Sequence, residues 1–230
     1  METGQIIGIV LLSLKVSLAA MIVVVPLAIA VAWWLHRTRF AGKAFVSALF
    51  HIPLVLPPVV TGYILLVSFG PTAPIGSFLA HFGIEFGFRW TGAALAAGVM
   101  AFPLVMRPIR QAFEAIDPQL PAIASTLGAG RLVNFATISL PLAVPGIIAG
   151  AVLGFAKALG EFGATITFVS NIPGETRTLS LAVYSLLQSP AGDRTALVLI
   201  VISLAISVVA VLISEWFSNR ILGQRQRRHD

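Results

Sequence analysis

Lys157 and Glu161 stand four residues apart in an otherwise apolar run, AVLGFAKALGEFG. On a helix this spacing puts both side chains on one face, where ammonium and carboxylate can pair, although Lys before Glu is the weaker order. Ionisable groups at membrane depth are costly and face a cavity or a partner. Two readings stand for this pair. One is a pathway or gate near the outer end of a span; the other is a local ion pair, or charges snorkelling to the interface. Lys15 is a further charge inside an apolar run and reads as structural.

Other chemistry is not on offer. There is no GxxxxGK[ST] loop, so the chain does not itself hydrolyse ATP by that mechanism. The sequence has no cysteine, which excludes disulfides, thiol catalysis and Cys-ligated metal. His36, His51, His81 and His229 are scattered, without metal-ligand spacing, and point to packing or interface roles. Ser13, Ser17 and Ser203 sit inside apolar runs, where hydroxyls bond to helix backbone or to neighbouring helices. No triad is visible. The expectation is no catalytic residue, no metal and no cofactor.

The elements that must position these residues are membrane spans. With 57% hydrophobic and 10% charged residues and a mean hydropathy of +0.95, there is too little polar surface to cover a soluble globule. The apolar residues run along the whole chain, so residues 1–230 read as a single all-α membrane domain. A span needs about 20 residues to cross a hydrocarbon layer about 30 Å thick. Five segments qualify, at about 6–35, 44–69, 91–109, 135–159 and 196–217. Leu179 to Leu187 is apolar but too short, and suits a surface or re-entrant helix.

Charge sidedness sets the orientation. Arg37, Arg39, Lys43, Arg107, Arg110, Arg131, Arg220, Arg225, Arg227 and Arg228 account for ten of the fifteen basic residues and fall in alternate connections and the tail. Placing them in the cytoplasm puts the N-terminus outside and the C-terminus inside. The other connections hold Arg89, Arg177 and Arg194, balanced by Glu85, Glu175 and Asp193. The net charge of +6 follows from this sidedness and calls for no nucleic-acid partner. The start, METGQ, lacks a basic region, so the first span is expected to remain in the mature protein.

Two stretches inside the apolar runs break helical continuity. PLVLPPVVT, Pro53 to Thr61, and GEFGATIT, Gly160 to Thr167, carry the prolines and glycines that membrane helices tolerate where protein or a water-filled cavity satisfies the freed backbone. Kinks at Pro57 and Pro58 are one reading; a narrow gate lined by Thr61, Gly163 and Thr165 is the other.

Between the third and fourth spans lies a polar interruption, about 111–134, that includes Glu114 and Arg131. Asp117-Pro118 can start a short helix and Leu127-Gly128-Ala129-Gly130 can end one. A solvated loop and a docking element for a cytoplasmic partner fit this pattern equally.

LGAGRLVNFATISLPLAVPGI in the centre resembles the loop of ATP-binding-cassette importer permeases, whose shared pattern is EAA, a spaced G and I-x-LP. With HIPLVLPPVVTGYILL at His51 to Leu66 and GEFGATITFVSNIPGETRTL at Gly160 to Leu179, the chain is most similar to molybdate permeases, and sulfate/thiosulfate permeases are similar in the same places. The resemblance implies a type I importer permease in the bacterial inner membrane, working as a homodimer. Its partners would be two copies of an ATP-binding cassette ATPase subunit and a periplasmic oxyanion-binding protein. It also implies a cytoplasmic coupling helix, roughly Pro118 to Ala129, that seats in the ATPase. Where the family pattern has an acid and a base, this chain has Pro121 and Ser125. That removes an expected charged contact, worth about 0–1 kcal/mol if exposed. Pro121 fits the first turn of a helix, which could start three residues later than in relatives.

Two other classes stay open at this stage. A secondary transporter would show repeated architecture and buried coupling acids, for which only Glu161 is a candidate. A membrane enzyme would need a convergent catalytic set.

Overall fold

The computed structural model describes residues 3–189 and 192–226. The tail residues Arg227 and Arg228, read above as cytoplasmic charges, lie outside the described residues. Among the described residues every regular element is a helix: α1 (Thr3–Arg37), α2 (Lys43–Leu49), α3 (Ile52–Val55), α4 (Pro58–Phe69), α5 (Pro74–Ala80), α6 (Trp90–Glu114), α7 (Gln119–Thr126), α8 (Arg131–Asn134), a π-helical turn (Phe135–Ser139), α9 (Leu140–Leu159), α10 (Gly163–Val169), α11 (Leu179–Leu187) and α12 (Asp193–Gln226).

The core is a three-helix packing of α1, α6 and α9. Small residues make the approach close. Ala93, Ala97, Gly98 and Ala101 of α6 are buried there, and α9 answers with Gly146, Gly150 and Gly154 at every fourth position. A methyl group on Gly150 would lie 2.6 Å from the Val105 carbonyl oxygen, and one on Gly146 would lie 2.7 Å from that of Pro108. This is small-xxx-small packing, which lets membrane helices associate through backbone contact. The large side chains Phe113, Met106, Ile109 and Leu35 fill the inner part of the core. A smaller cluster of Ile9, Leu159, Leu179, Ala182 and Leu199 joins α11 and α12 to the ends of α1 and α9.

Among the described residues, four helices are long and apolar enough to cross a membrane: α1, α6, α8 to α9 taken together, and α12 up to Ile213. They coincide with four of the five expected spans. At 35 residues, α1 is about 52 Å long by helical rise, more than a bilayer needs, so it tilts or protrudes. The expected span at 44–69 is a correction. That stretch is three helices, α2, α3 and α4. Leu56 and Pro57 between the last two are extended, with ψ of 144° and 134°. Pro53, Pro57 and Pro58 each lack an amide hydrogen, and the residue before a proline is pushed out of the helical region. A fifth crossing exists only as α4 and α5 together, bent by 52°. The interruption expected at 111–134 is also narrower, because α6 runs on to Glu114 and α8 begins at Arg131.

Candidate functional site

At the end of α9 the chain passes through Gly160 and breaks before α10. Glu161 lies in the break and is 2% exposed. Its Oε2 accepts a hydrogen bond from Lys157 Nζ at 2.5 Å. Its Oε1 accepts from the backbone N–H of Ala164 at 3.0 Å. The carboxylate therefore neutralises Lys157 and satisfies a free amide in the first turn of α10, where the helix dipole also favours negative charge. The spacing read from sequence holds as an ion pair; the additional grip on α10 was not legible there.

α10 packs against α4, which brings the two interrupted stretches together. A methyl group on Gly163 would lie 2.7 Å from Pro58 Cβ. One on Gly62 would lie 2.6 Å from the Ala164 carbonyl oxygen. Thr61 and Thr165 are 6% and 2% exposed, and Thr61 Oγ1 is a buried hydroxyl without a hydrogen-bond partner within the chain. Of the residues expected to line a gate, Pro58, Thr61, Gly163 and Thr165 thus lie on the α4 and α10 elements of one tight seam. Pro57 caps α4 at its start, and Lys157 and Glu161 hold the α9 end of the break. Gly62 belongs to the same seam and was missed, although a glycine following Thr61 in an apolar run is a signal of close backbone approach.

The central interruption folds as α7, flanked by the loops to α6 and α8. Asp117 Oδ1 accepts from the Gln119 N–H at 2.9 Å, which starts the helix. Pro121 sits in its first turn without displacing that start. At the other end Gly128 N–H donates to the Ser125 carbonyl and Ala129 N–H to the Ala124 carbonyl, with Gly128 at φ +87°. This is a Schellman ending, and the positive φ is why glycine stands there. Leu127 is 83% and Leu132 75% exposed, and Leu120, Ile123 and Val133 are exposed as well. So many exposed aliphatic side chains within one short connection are more apolar than a solvated loop needs. Glu114 pairs with Arg110 on its own helix at 2.8 Å, and Arg110 also donates to Ser47 Oγ at 2.6 Å, tying α6 to α2. Gly130 caps α8 and Arg131 is its first residue.

Elsewhere, Lys15 lies 3.6 Å from the centre of the Trp90 ring, a cation–π contact. Ser13 Oγ donates to the Ile9 carbonyl and accepts from the Leu179 N–H at 2.7 Å, the backbone and neighbouring-helix bonding expected of a span serine, whereas Ser17 Oγ is buried without a hydrogen-bond partner within the chain.

A model of the family described as binding-protein-dependent transport system inner membrane component matches residues 10–223. The chain belongs to that family. It is 56% identical over 220 residues to the molybdenum transport system permease protein ModB of Escherichia coli (strain K12), covering 95% of this chain and 96% of that one. It is 36% identical over 195 residues to the sulfate transport system permease protein CysT of Salmonella typhimurium, covering 84% and 70%. Among solved structures, a bacterial alginate ABC transporter in complex with alginate pentasaccharide-bound periplasmic protein superimposes with a TM-score of 0.76 at 20% identity, over 96% of this chain and 80% of that one. At that identity the likeness is one of fold, an importer permease fold, and the family's description is that of a membrane component.

Proposed function

We propose that this chain is the permease subunit of an ATP-driven importer that carries molybdate, and its congener tungstate, across the bacterial inner membrane by alternating access. The observation that carries the reading is the 56% identity to a molybdenum permease over nearly the full length of both chains, against 36% to a sulfate permease. In this reading two copies form the pathway, two ATPase subunits sit on the cytoplasmic side and a periplasmic oxyanion-binding protein delivers the cargo. The N-terminus is outside and the C-terminus inside, as the basic residues of the 36–43 and 107–131 regions favour.

The energetics agree with an ATP-coupled device. Moving a dianion into a cell at 100 mV, negative inside, costs about 4.6 kcal/mol, from about 2.3 per charge. A pathway should also hold its cargo weakly enough to release it. The α4 and α10 seam suits that need, since it offers threonine hydroxyls and one ammonium already neutralised by Glu161, rather than a cluster of cations.

The exposed leucines around α7 support a docking face for the ATPase. Apolar shape can replace the charged contact that Pro121 and Ser125 forgo. Glu114, Asp117, Pro118, Leu127, Gly128, Ala129, Gly130 and Arg131 form the coupling region in this account. Pro57, Pro58, Thr61, Lys157, Glu161, Gly163 and Thr165 form the gate.

The decisive experiment is ATP hydrolysis by the reconstituted complex, stimulated by binding protein loaded in turn with molybdate, tungstate or sulfate. Stimulation by molybdate and tungstate with little response to sulfate is expected. Preferential stimulation by sulfate would reassign the substrate, and uptake without any ATPase subunit would replace the reading with a secondary transporter.

A further inference from the structure

Asn134 is the last residue of α8 and is 6% exposed. Its Nδ2 donates to the Pro121 carbonyl oxygen at 2.8 Å and approaches Ser125 Oγ at 3.4 Å. Both partners belong to α7. Asn134 Oδ1 is buried and has no partner in the protomer, so the amide's hydrogen bonds go to α7 alone. The orientation of the amide follows from its surroundings: the opposite one would set its oxygen against a carbonyl oxygen.

We propose that Asn134 is a positioning residue that fastens α7 to the span carrying the Lys157 and Glu161 pair, so that displacement of α7 is delivered to α9 instead of being absorbed by its flanking loops. This rests on the reading that α7 docks on the ATPase. Three further observations carry it.

First, α7 packs on α8 and on the π-helical turn, while its link to α6 passes through Ala115 to Pro118, where Asp117 caps α7 itself. Second, Arg131 to Leu159 forms one span-length helical unit. A push at Asn134 therefore reaches Lys157, about 34 Å away at helical rise, without crossing a loop. Third, the π-helical turn is seated rather than loose, because Phe135 packs tilted against Trp33 with ring centres 4.6 Å apart and meets Phe113 at 6.3 Å. These contacts guide the rod against α1 and α6. π-helical turns are frequent at functional sites.

Pro121 and Ser125 are the two positions where the chain departs from the acid and base of the family pattern. In this chain they serve the clasp. The Pro121 carbonyl also accepts from Ser125 Oγ at 2.8 Å, so a single oxygen gathers two side-chain donors.

The test uses the complete complex in liposomes and reads anion delivered per ATP hydrolysed. Asn134→Asp keeps the side-chain shape but cannot donate. Its ratio, and that of Asn134→Ala, is expected to fall about fivefold, the factor that one hydrogen bond of ordinary strength is worth, with basal hydrolysis retained. An unchanged ratio in both variants overturns the proposal. If a variant does not assemble with the ATPase, amide hydrogen exchange in α7 of the purified permease decides instead. Faster exchange over Ile123 to Leu127 in Asn134→Asp supports the clasp, and unchanged exchange overturns it. A Leu127→Cys cross-link to the ATPase, made in a chain that has no other cysteine, reports on docking separately. Its absence removes the docking reading; its presence with a normal transport ratio in Asn134→Asp overturns this inference alone.

Discussion

Gly62 of α4 and Ala164 of α10 meet backbone to backbone: a methyl group on Gly62 would lie 2.6 Å from the Ala164 carbonyl oxygen and 2.9 Å from Thr167 Cβ. Neither neighbour is a flexible side-chain end, so the helices themselves must part to admit a larger residue. Overpacking of this kind costs about 1–3 kcal/mol. Gly62→Val is expected to cut oxyanion uptake in vesicles about tenfold or more for that cost, while the complex still assembles. Normal uptake would remove the seam from the pathway.

The Lys157 and Glu161 pair is asymmetric, with side-chain exposures of 29% and 1%. Removing Lys157 strands a buried carboxylate, whereas removing the charge of Glu161 strands an ammonium that reaches solvent. Lys157→Met should therefore destabilise more, by about 3–5 kcal/mol, the usual cost of breaking a buried pair from one side. Glu161→Gln keeps an acceptor for the Ala164 amide and should cost about 1 kcal/mol. The double variant should recover stability relative to Lys157→Met. Thermal unfolding in detergent orders the three, and equal melting points for both single variants would contradict the asymmetry.

Gly128 has open space around it but a φ of +87°. A β-branched residue there meets backbone strain rather than a clash, at about 1–2 kcal/mol. Gly128→Val should lower ATPase-coupled uptake with the fold intact, and Gly128→Asn, which tolerates that conformation, should retain more. Equal activity in both would show that the Schellman ending of α7 is not needed for coupling.

Gly150 is the opposite case. Its backbone conformation is ordinary, but an added methyl would lie 2.6 Å from the Val105 carbonyl oxygen and 3.4 Å from Ile109 Cγ1. Gly150→Leu should lower the yield of folded protein rather than the ratio of transport to hydrolysis, as size-exclusion chromatography in detergent would record.

Lys15 contributes a contact worth about 0.5–1 kcal/mol at an exposed site. Lys15→Met should leave uptake at the wild-type level, in contrast to Lys157→Met; a comparable loss would place Lys15 on the pathway.

Much of this protein was legible locally. Runs of about 20 apolar residues announced α1, α6, α9 and α12, and Leu179 to Leu187 was rightly too short to cross. The ends of α7 were readable from Asp117 and Gly128, because caps act on amides and carbonyls a few residues away. The stretch 44–69 was misread as one span because hydropathy does not register a missing amide hydrogen. Pro53, Pro57 and Pro58 carried that information, but where the chain would resume crossing depended on α4 packing against α10.

The sequence by itself determined that the chain lives in a bilayer, where its long helices lie and which short polar segment interrupts them, since transfer to lipid and helix capping are properties of residues and their near neighbours. Only the tertiary structure decided that Glu161 grips α10, that Gly62 touches Ala164, that Gly146, Gly150 and Gly154 face α6, and that Asn134 holds Pro121. Any apolar helix face satisfies lipid equally well. Which face turns inward is settled by shape and by the few polar groups that must find partners across the bundle, and neither is written at any fixed spacing along the chain.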